Sequence, residues 1–175
     1  AYGRSLRLKP YNTDKQKTML ILVDPQLGFL QPGRPLFVSG SVEDTIRTVE
    51  FILTNIASIT QISASLDSHL PFHIFFPEWW MDQNGEPLKP FTVVTLKDLK
   101  DKKYKAVFDF PYEYAPGKKM MWSEYYVTML EQFGKKISVG GEDFEKKNLM
   151  VWPNHCLLGT PEHAIEPTLY EAILA

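Results

Sequence analysis

Thr18-Met19-Leu20-Ile21-Leu22-Val23-Asp24-Pro25 is an unbroken apolar run that stops on a carboxylate and a proline. Without polar alternation, such a run reads as a strand buried on both faces, as in a parallel sheet covered by helices. Asp24 then stands at the carboxyl end of the strand, the rim where open α/β sheets bind ligands. An aspartate that only caps the following turn is the plainer reading of the same position. The loop 26–39 is rich in Gly and Pro and carries Phe29, Leu30 and Phe37, so it is expected to be packed down. Ser41, followed by Glu43 and Asp44, marks a helix start, with a hydroxyl for free amide hydrogens and acids at the positive end of the dipole. Val42, Ile46, Val49, Leu53 and Ile56 recur at three- and four-residue spacing, which predicts an amphipathic helix to about Ser58. Gln61 to Asp67 reads as the next strand. Strand–helix–strand order implies a right-handed crossover and parallel pairing, which brings Asp67 to the same rim as Asp24.

Beyond this unit the pattern loosens between Leu70 and Gly117, where isolated prolines and Asn84-Gly85 mark an elaborated insertion, taken as 77–117. Within it Phe91–Thr95 and Tyr104–Phe108 have the composition of short strands, expected as a hairpin outside the main sheet. The charges from Lys100 to Lys105 read as a solvated turn. A helix is predicted from Ser123 to Phe133, with Tyr126, Met129, Leu130 and Phe133 on one face and Gly134, Gly140 and Gly141 breaking it. Leu149 to Trp152 is expected as a third core strand, and Ile165 to Leu174 as a helix with Pro167 in its first turn. The fold class is α/β, with helices layered on a parallel sheet in a single domain over 1–175.

The 175 residues, 44% of them hydrophobic, suffice for one sizeable core. A net charge of −2 and a pI near 6.1 supply no basic field for nucleic acid and no polybasic anchor for a membrane. No apolar run reaches the ~18 residues of a membrane span, and residues 1–17 have no signal-peptide core. A single cysteine, Cys156, forms no internal disulfide, which fits a reducing, cytoplasmic setting. Its thiol is either a buried small hydrophobe or a reactive group.

The four histidines fall in two short segments, His69 with His73 and His155 with His163. Asp67 and His69 are one residue apart, so in extended backbone both side chains can point the same way. Joined by His155, they make a mixed O/N set suited to one divalent ion, Zn, Fe or Mn. A carboxylate hydrogen-bonded to a histidine would give the same spacing without a metal. His73 reads as a further ligand or a support for one, and His163 as a helix-start or surface residue.

Three segments together resemble the nicotinamidase branch of the isochorismatase-like cysteine hydrolases. Val23-Asp24-Pro25-Gln26-Leu27-Gly28-Phe29 is similar to the family's VDxQxxF strand end. Ser65-Leu66-Asp67-Ser68-His69-Leu70-Pro71-Phe72-His73 resembles its SxDxHPxxH element, with Ser68 where tryptophan is usual and Leu70 where proline is usual. Trp152-Pro153-Asn154-His155-Cys156-Leu157-Leu158-Gly159-Thr160 resembles its WPxHCxxGT element closely.

The resemblance implies a Rossmann-like three-layer α/β/α hydrolase. It implies Asp24 as the catalytic aspartate, Asp67, His69 and His155 as metal ligands, and Phe29 and Trp152 as the aromatic residues against a nicotinamide ring. Gln26, His73 and Cys156 would support them from behind. The reaction implied is hydrolysis of a small amide through a cysteine thioester. The family's catalytic lysine and nucleophilic cysteine lie beyond the WPxHC element, and Cys156 matches a cysteine that is not the nucleophile. The expectation is therefore the N-terminal portion of a longer hydrolase, associated with its remaining part or with copies of itself. A non-catalytic ligand-binding or interaction module of the same fold is the rival.

Overall fold

The structure, a computed structural model, describes residues 5–133, 138–139, 142–143 and 147–175. In chain order its elements are β1 (Met19–Leu22), α1 (Leu27–Leu30), α2 (Ser41–Asn55), β2 (Gln61–Ala64), β3 (Trp80–Met81), β4 (Val93–Val94) and α3 (Leu96–Lys100). They continue as β5 (Lys105–Ala106), β6 (Pro111–Ala115), β7 (Lys118–Met121), α4 (Trp122–Phe133), β8 (Ser138–Val139), β9 (Glu142–Asp143), β10 (Leu149–Met150) and α5 (Pro167–Ile173). The chain forms two compact units, one of Ala1–Leu70 with His155–Ala175 and the other of Pro71–Asn154.

In the first unit β1 and β2 pair in parallel, from Met19 opposite Gln61 to Leu22 opposite Ala64, as strand–helix–strand order requires. Leu20, Leu22, Ile62 and Ala64 pack against Val49, Ile52 and Leu53 of α2 and Leu169, Ala172 and Ile173 of α5. Both helices lie on one face, and the two-residue period of the strand sends Met19, Ile21 and Val23 to the other, where they are exposed. Burial of this strand on both faces is thus corrected to burial on one among the described residues.

The start of α2 is also corrected. Gly40, at φ 84°, takes the cap position because the chain turns through left-handed backbone there. Ser41 is already helical and buried, and its hydroxyl donates to the carbonyls of Phe29 and Leu30. Of the expected stripe, Val49 and Leu53 reach the sheet together with Ile52, whereas Val42 and Ile46 lie exposed beside Leu27, Leu30 and Pro167. In α5 Pro167 occupies the first turn as expected, and the Glu166 carboxylate accepts the Leu169 amide at 2.8 Å.

The second unit is antiparallel and aromatic. Ile74, Trp79, Trp80, Leu88, Val94, Val127, Leu149 and Val151 form its core. The Trp80 indole donates to the Ile74 carbonyl at 2.8 Å and the Trp79 indole to Ser123 Oγ at 2.9 Å, so neither N–H is buried unpaired. Leu149–Met150 does not extend the parallel sheet. It pairs antiparallel with Val93–Val94, because Leu149, Val151 and Val94 share this unit's apolar interior. Nor do the segments around Val93 and Lys105 pair with each other: α3, closed by a capping box between Thr95 and Asp98, separates them, and β5 pairs with β3. The hairpin of this region is β6–β7, turning at Gly117 with φ 73°. The expected insertion lies within this unit, α4 occupies the predicted helix, and the breaks at Gly134, Gly140 and Gly141 lie outside the described residues. Among the described residues no helix is long and apolar enough to cross a membrane.

Candidate metal centre

The segment that follows β2 and the segment after His155 run side by side. The His69 amide donates to the Cys156 carbonyl at 3.2 Å, and the Leu158 amide donates to the His69 carbonyl at 2.9 Å, a parallel bridge of His69 with Leu157. That backbone pairing carries three side chains to one point. Asp67 Oδ1 lies 2.8 Å from His69 Nε2, and Asp67 Oδ2 lies 3.0 Å from His155 Nε2. The three ligand atoms fall within 4.8 Å of one another. His155 is buried, and its ring meets that of His69 edge-on at 4.9 Å.

The three groups are near enough to one another to hold one metal ion. Both Asp–His separations are of hydrogen-bond length and use different carboxylate oxygens, whereas bonds of about 2.0–2.2 Å would set neighbouring ligand atoms ~3–3.5 Å apart around an ion. Two imidazoles and one carboxylate form a mixed donor set for Zn, Fe or Mn. Asp67, His69 and His155 are therefore brought together as the sequence implied.

Gln26 is fully buried behind Asp67. Its Oε1 accepts the Asp67 amide at 2.7 Å, and its Nε2 donates to the carbonyls of Asp67 at 2.8 Å and His163 at 2.9 Å. The strand end is further fastened by the Leu27 amide to the Ala164 carbonyl and the Glu166 amide to the Pro25 carbonyl, each at 2.9 Å.

Asp24 has left-handed backbone, φ 51°, which aspartate tolerates better than most residues. Its Oδ1 accepts the Ser65 hydroxyl at 2.7 Å, while Ser65 Oγ accepts the Asp24 amide at 3.1 Å. Asp24 thus holds the turn and also lines an open cavity of about 490 Å³ with Phe29, Val38 and Arg47. Phe29 links that cavity to the histidines, its ring 5.7 Å from that of His155. A larger cavity, about 870 Å³, lies at the opposite end of the strands around Thr60, Gln61 and Ile173 and contains no histidine. Ligand chemistry belongs to the carboxyl ends of the strands.

Cys156 is buried, with φ 48°. Burial pushes its thiol up to about 12, reinforced by the carboxylates of Asp67, Glu162 and Asp24. The contact that shields it explains Gly28: a β-carbon there would stand 2.7 Å from the Cys156 sulfur and 3.3 Å from the Glu162 carbonyl. Gly28→Ala is expected to destabilise the chain by about 1–3 kcal/mol through overpacking, measured as a lower urea midpoint.

Trp152 and His73 belong to the second unit. The Trp152 indole stands edge-on to Phe91 at 5.9 Å, and the His73 ring stacks on Phe75 at 4.8 Å. His163 lies at the half-exposed end of a short 3-10 turn, Pro161–His163, and its Nε2 lies 2.6 Å from Ser68 Oγ. The sequence reading places Ser65 and Gly28 in the matching segments and gives them no roles. Ser65 could have been found from alternation, two residues before Asp67 on an extended segment. The role of Gly28 depends on a sulfur far along the chain and had no local signal.

No protein-family profile matches the chain. No curated protein matches it either. Among solved structures it is similar to the yeast nicotinamidase Pnc1p and to the same yeast enzyme bound to the inhibitor nicotinaldehyde. Each match has a TM-score of 0.52 and 16% identity over 90% of this chain and 52% of the other, so the chain spans about half the length of those proteins. The backbone of this chain has an α/β fold like that of the yeast nicotinamidase.

Proposed function

We propose that this chain carries the metal-binding part of a nicotinamidase-type amide hydrolase, converting nicotinamide or a related small amide to its acid and ammonia. One observation carries that assignment: Asp67, His69 and His155 converge on a single point at the strand ends of this fold. A divalent ion held there would act as a Lewis acid toward a substrate nitrogen or a water. The remaining chemistry belongs to side chains. Phe29, beside His155 and lining the cavity shared with Asp24, offers an apolar face to a flat ring, and Trp152 is assigned the same task. Asp24 takes the proton from a cysteine thiol as its sulfur attacks the carboxamide carbon. Ammonia leaves with a proton returned to it, and water hydrolyses the thioester. His73 and Cys156 are assigned supporting positions. The working environment is cytoplasmic, without nucleic acid or membrane partners, and the chain associates with copies of itself or with the remaining part of the hydrolase.

Cys156 is assigned no part as that nucleophile, because its sulfur is fully buried against the Glu162 carbonyl and burial raises its thiol. The rival reading is a non-catalytic ligand-binding or interaction module of the same fold.

Ammonia release from nicotinamide by the natural full-length polypeptide separates the two. Turnover that stops on chelation and survives Cys156→Ala is expected. Metal-dependent nicotinamide binding without ammonia would establish the binding module. Loss of turnover in Cys156→Ala with metal content unchanged would make Cys156 the nucleophile.

A further inference from the structure

Gln26 meets one donor and two acceptors: the Asp67 amide, the Asp67 carbonyl and the His163 carbonyl. A primary amide is the side-chain group that answers this set, with one carbonyl oxygen and two N–H bonds on a single plane. An ionised glutamate would present oxygen to both carbonyls, and an apolar residue would leave all three backbone groups unanswered. The pattern also settles the amide's orientation, because Oε1 must face the Asp67 N–H.

Both backbone groups of Asp67 are thereby held on one rigid side chain, which is fully buried and anchored in the turn after β1. The third bond ties the same amide to His163, whose ring reaches back to Ser68, between the two ligands Asp67 and His69. The circuit Gln26, Asp67, Ser68, His163 closes on itself within the first unit.

We infer that Gln26 is the positioning residue of the metal centre: by clamping the amide and carbonyl of Asp67 and the carbonyl of His163, it sets the direction of the carboxylate that the two histidines share. This rests on the metal assignment proposed above and adds to it what orients the shared ligand. Groups that orient a metal ligand from behind typically govern affinity by about 10–100-fold, because the ligand otherwise spends much of its time pointing elsewhere.

Zinc chloride titrated calorimetrically into the chain, with a melting temperature recorded for every sample, tests this. Gln26→Met preserves length and removes all three hydrogen bonds, and its zinc affinity is expected to fall about 10–100-fold. Ile52→Val, in the buried core of the same unit, lowers the melting temperature and is expected to leave zinc affinity unchanged. A merely structural Gln26 would behave like Ile52, losing melting temperature while the folded protein keeps its affinity. Zinc affinity of Gln26→Met within twofold of the parent overturns the inference and leaves the metal assignment standing. If the parent itself fails to bind zinc, both fall. Should Gln26→Met not fold, Gln26→Asn decides by the same criterion, since its amide is one methylene too short to meet all three groups.

Discussion

Asp67→Ala is expected to lower zinc affinity by roughly 10²–10³-fold, the largest effect of any single substitution at the centre. Its carboxylate is the group both histidines face, one oxygen each at 2.8 and 3.0 Å. A complete zinc site is worth about 10–16 kcal/mol, so one ligand of four, the fourth position being left to water, accounts for about 2.5–4 kcal/mol, or roughly 10²–10³-fold. Removing His69 or His155 takes one ligand and leaves the pair that remains in place; removing Asp67 takes the ligand at the centre of the set. Calorimetric titration of zinc into the folded variant measures the loss. An unchanged affinity would mean that the carboxylate only accepts hydrogen bonds from the two imidazoles.

Trp80→Ala is expected to destabilise the second unit by about 3–5 kcal/mol, from lost burial and the cavity left behind. Trp80 is completely buried in a core with Trp79, Val94, Leu149 and Val151, and its indole satisfies the Ile74 carbonyl. Truncation would open a void and leave that carbonyl without its donor. Against total stabilities of about 5–15 kcal/mol this is a large fraction. A urea midpoint lowered by roughly 2 M with unchanged slope, followed by tryptophan fluorescence, is the expected result. A shift below about half of that would mean the core closes over the missing ring.

The same aromatic core explains where the sequence misled. Leu149 to Trp152 is as apolar as Met19 to Leu22, and apolar content does not say which sheet a strand joins. Pairing with Val93–Val94 is decided by the interior that Leu149, Val151 and Val94 fill together. The face that Met19, Ile21 and Val23 present depends likewise on which side of the sheet the helices occupy. At the start of α2 a serine, a favoured capping residue, gave way to Gly40, since the turn there needs left-handed backbone. The candidate ligand set was more legible. Asp67 and His69 signal each other at a separation of two residues, and the segment around His155 resembles a known metal-site element.

From the order of residues alone came the parallel strand–helix–strand unit, the proline-started α5 and the pairing of Asp67 with His69, because periodicity, capping chemistry and donor type are local properties of a chain; His155 was tied to them by the resemblance of its segment. Only the tertiary structure decided the rest: that one carboxylate is shared between both imidazoles, that Gln26 bonds the Asp67 backbone and the His163 carbonyl, and that Cys156 is shut in against Gly28. Those contacts join residues up to 137 positions apart, and no short-range preference of the chain specifies which partners meet over that separation.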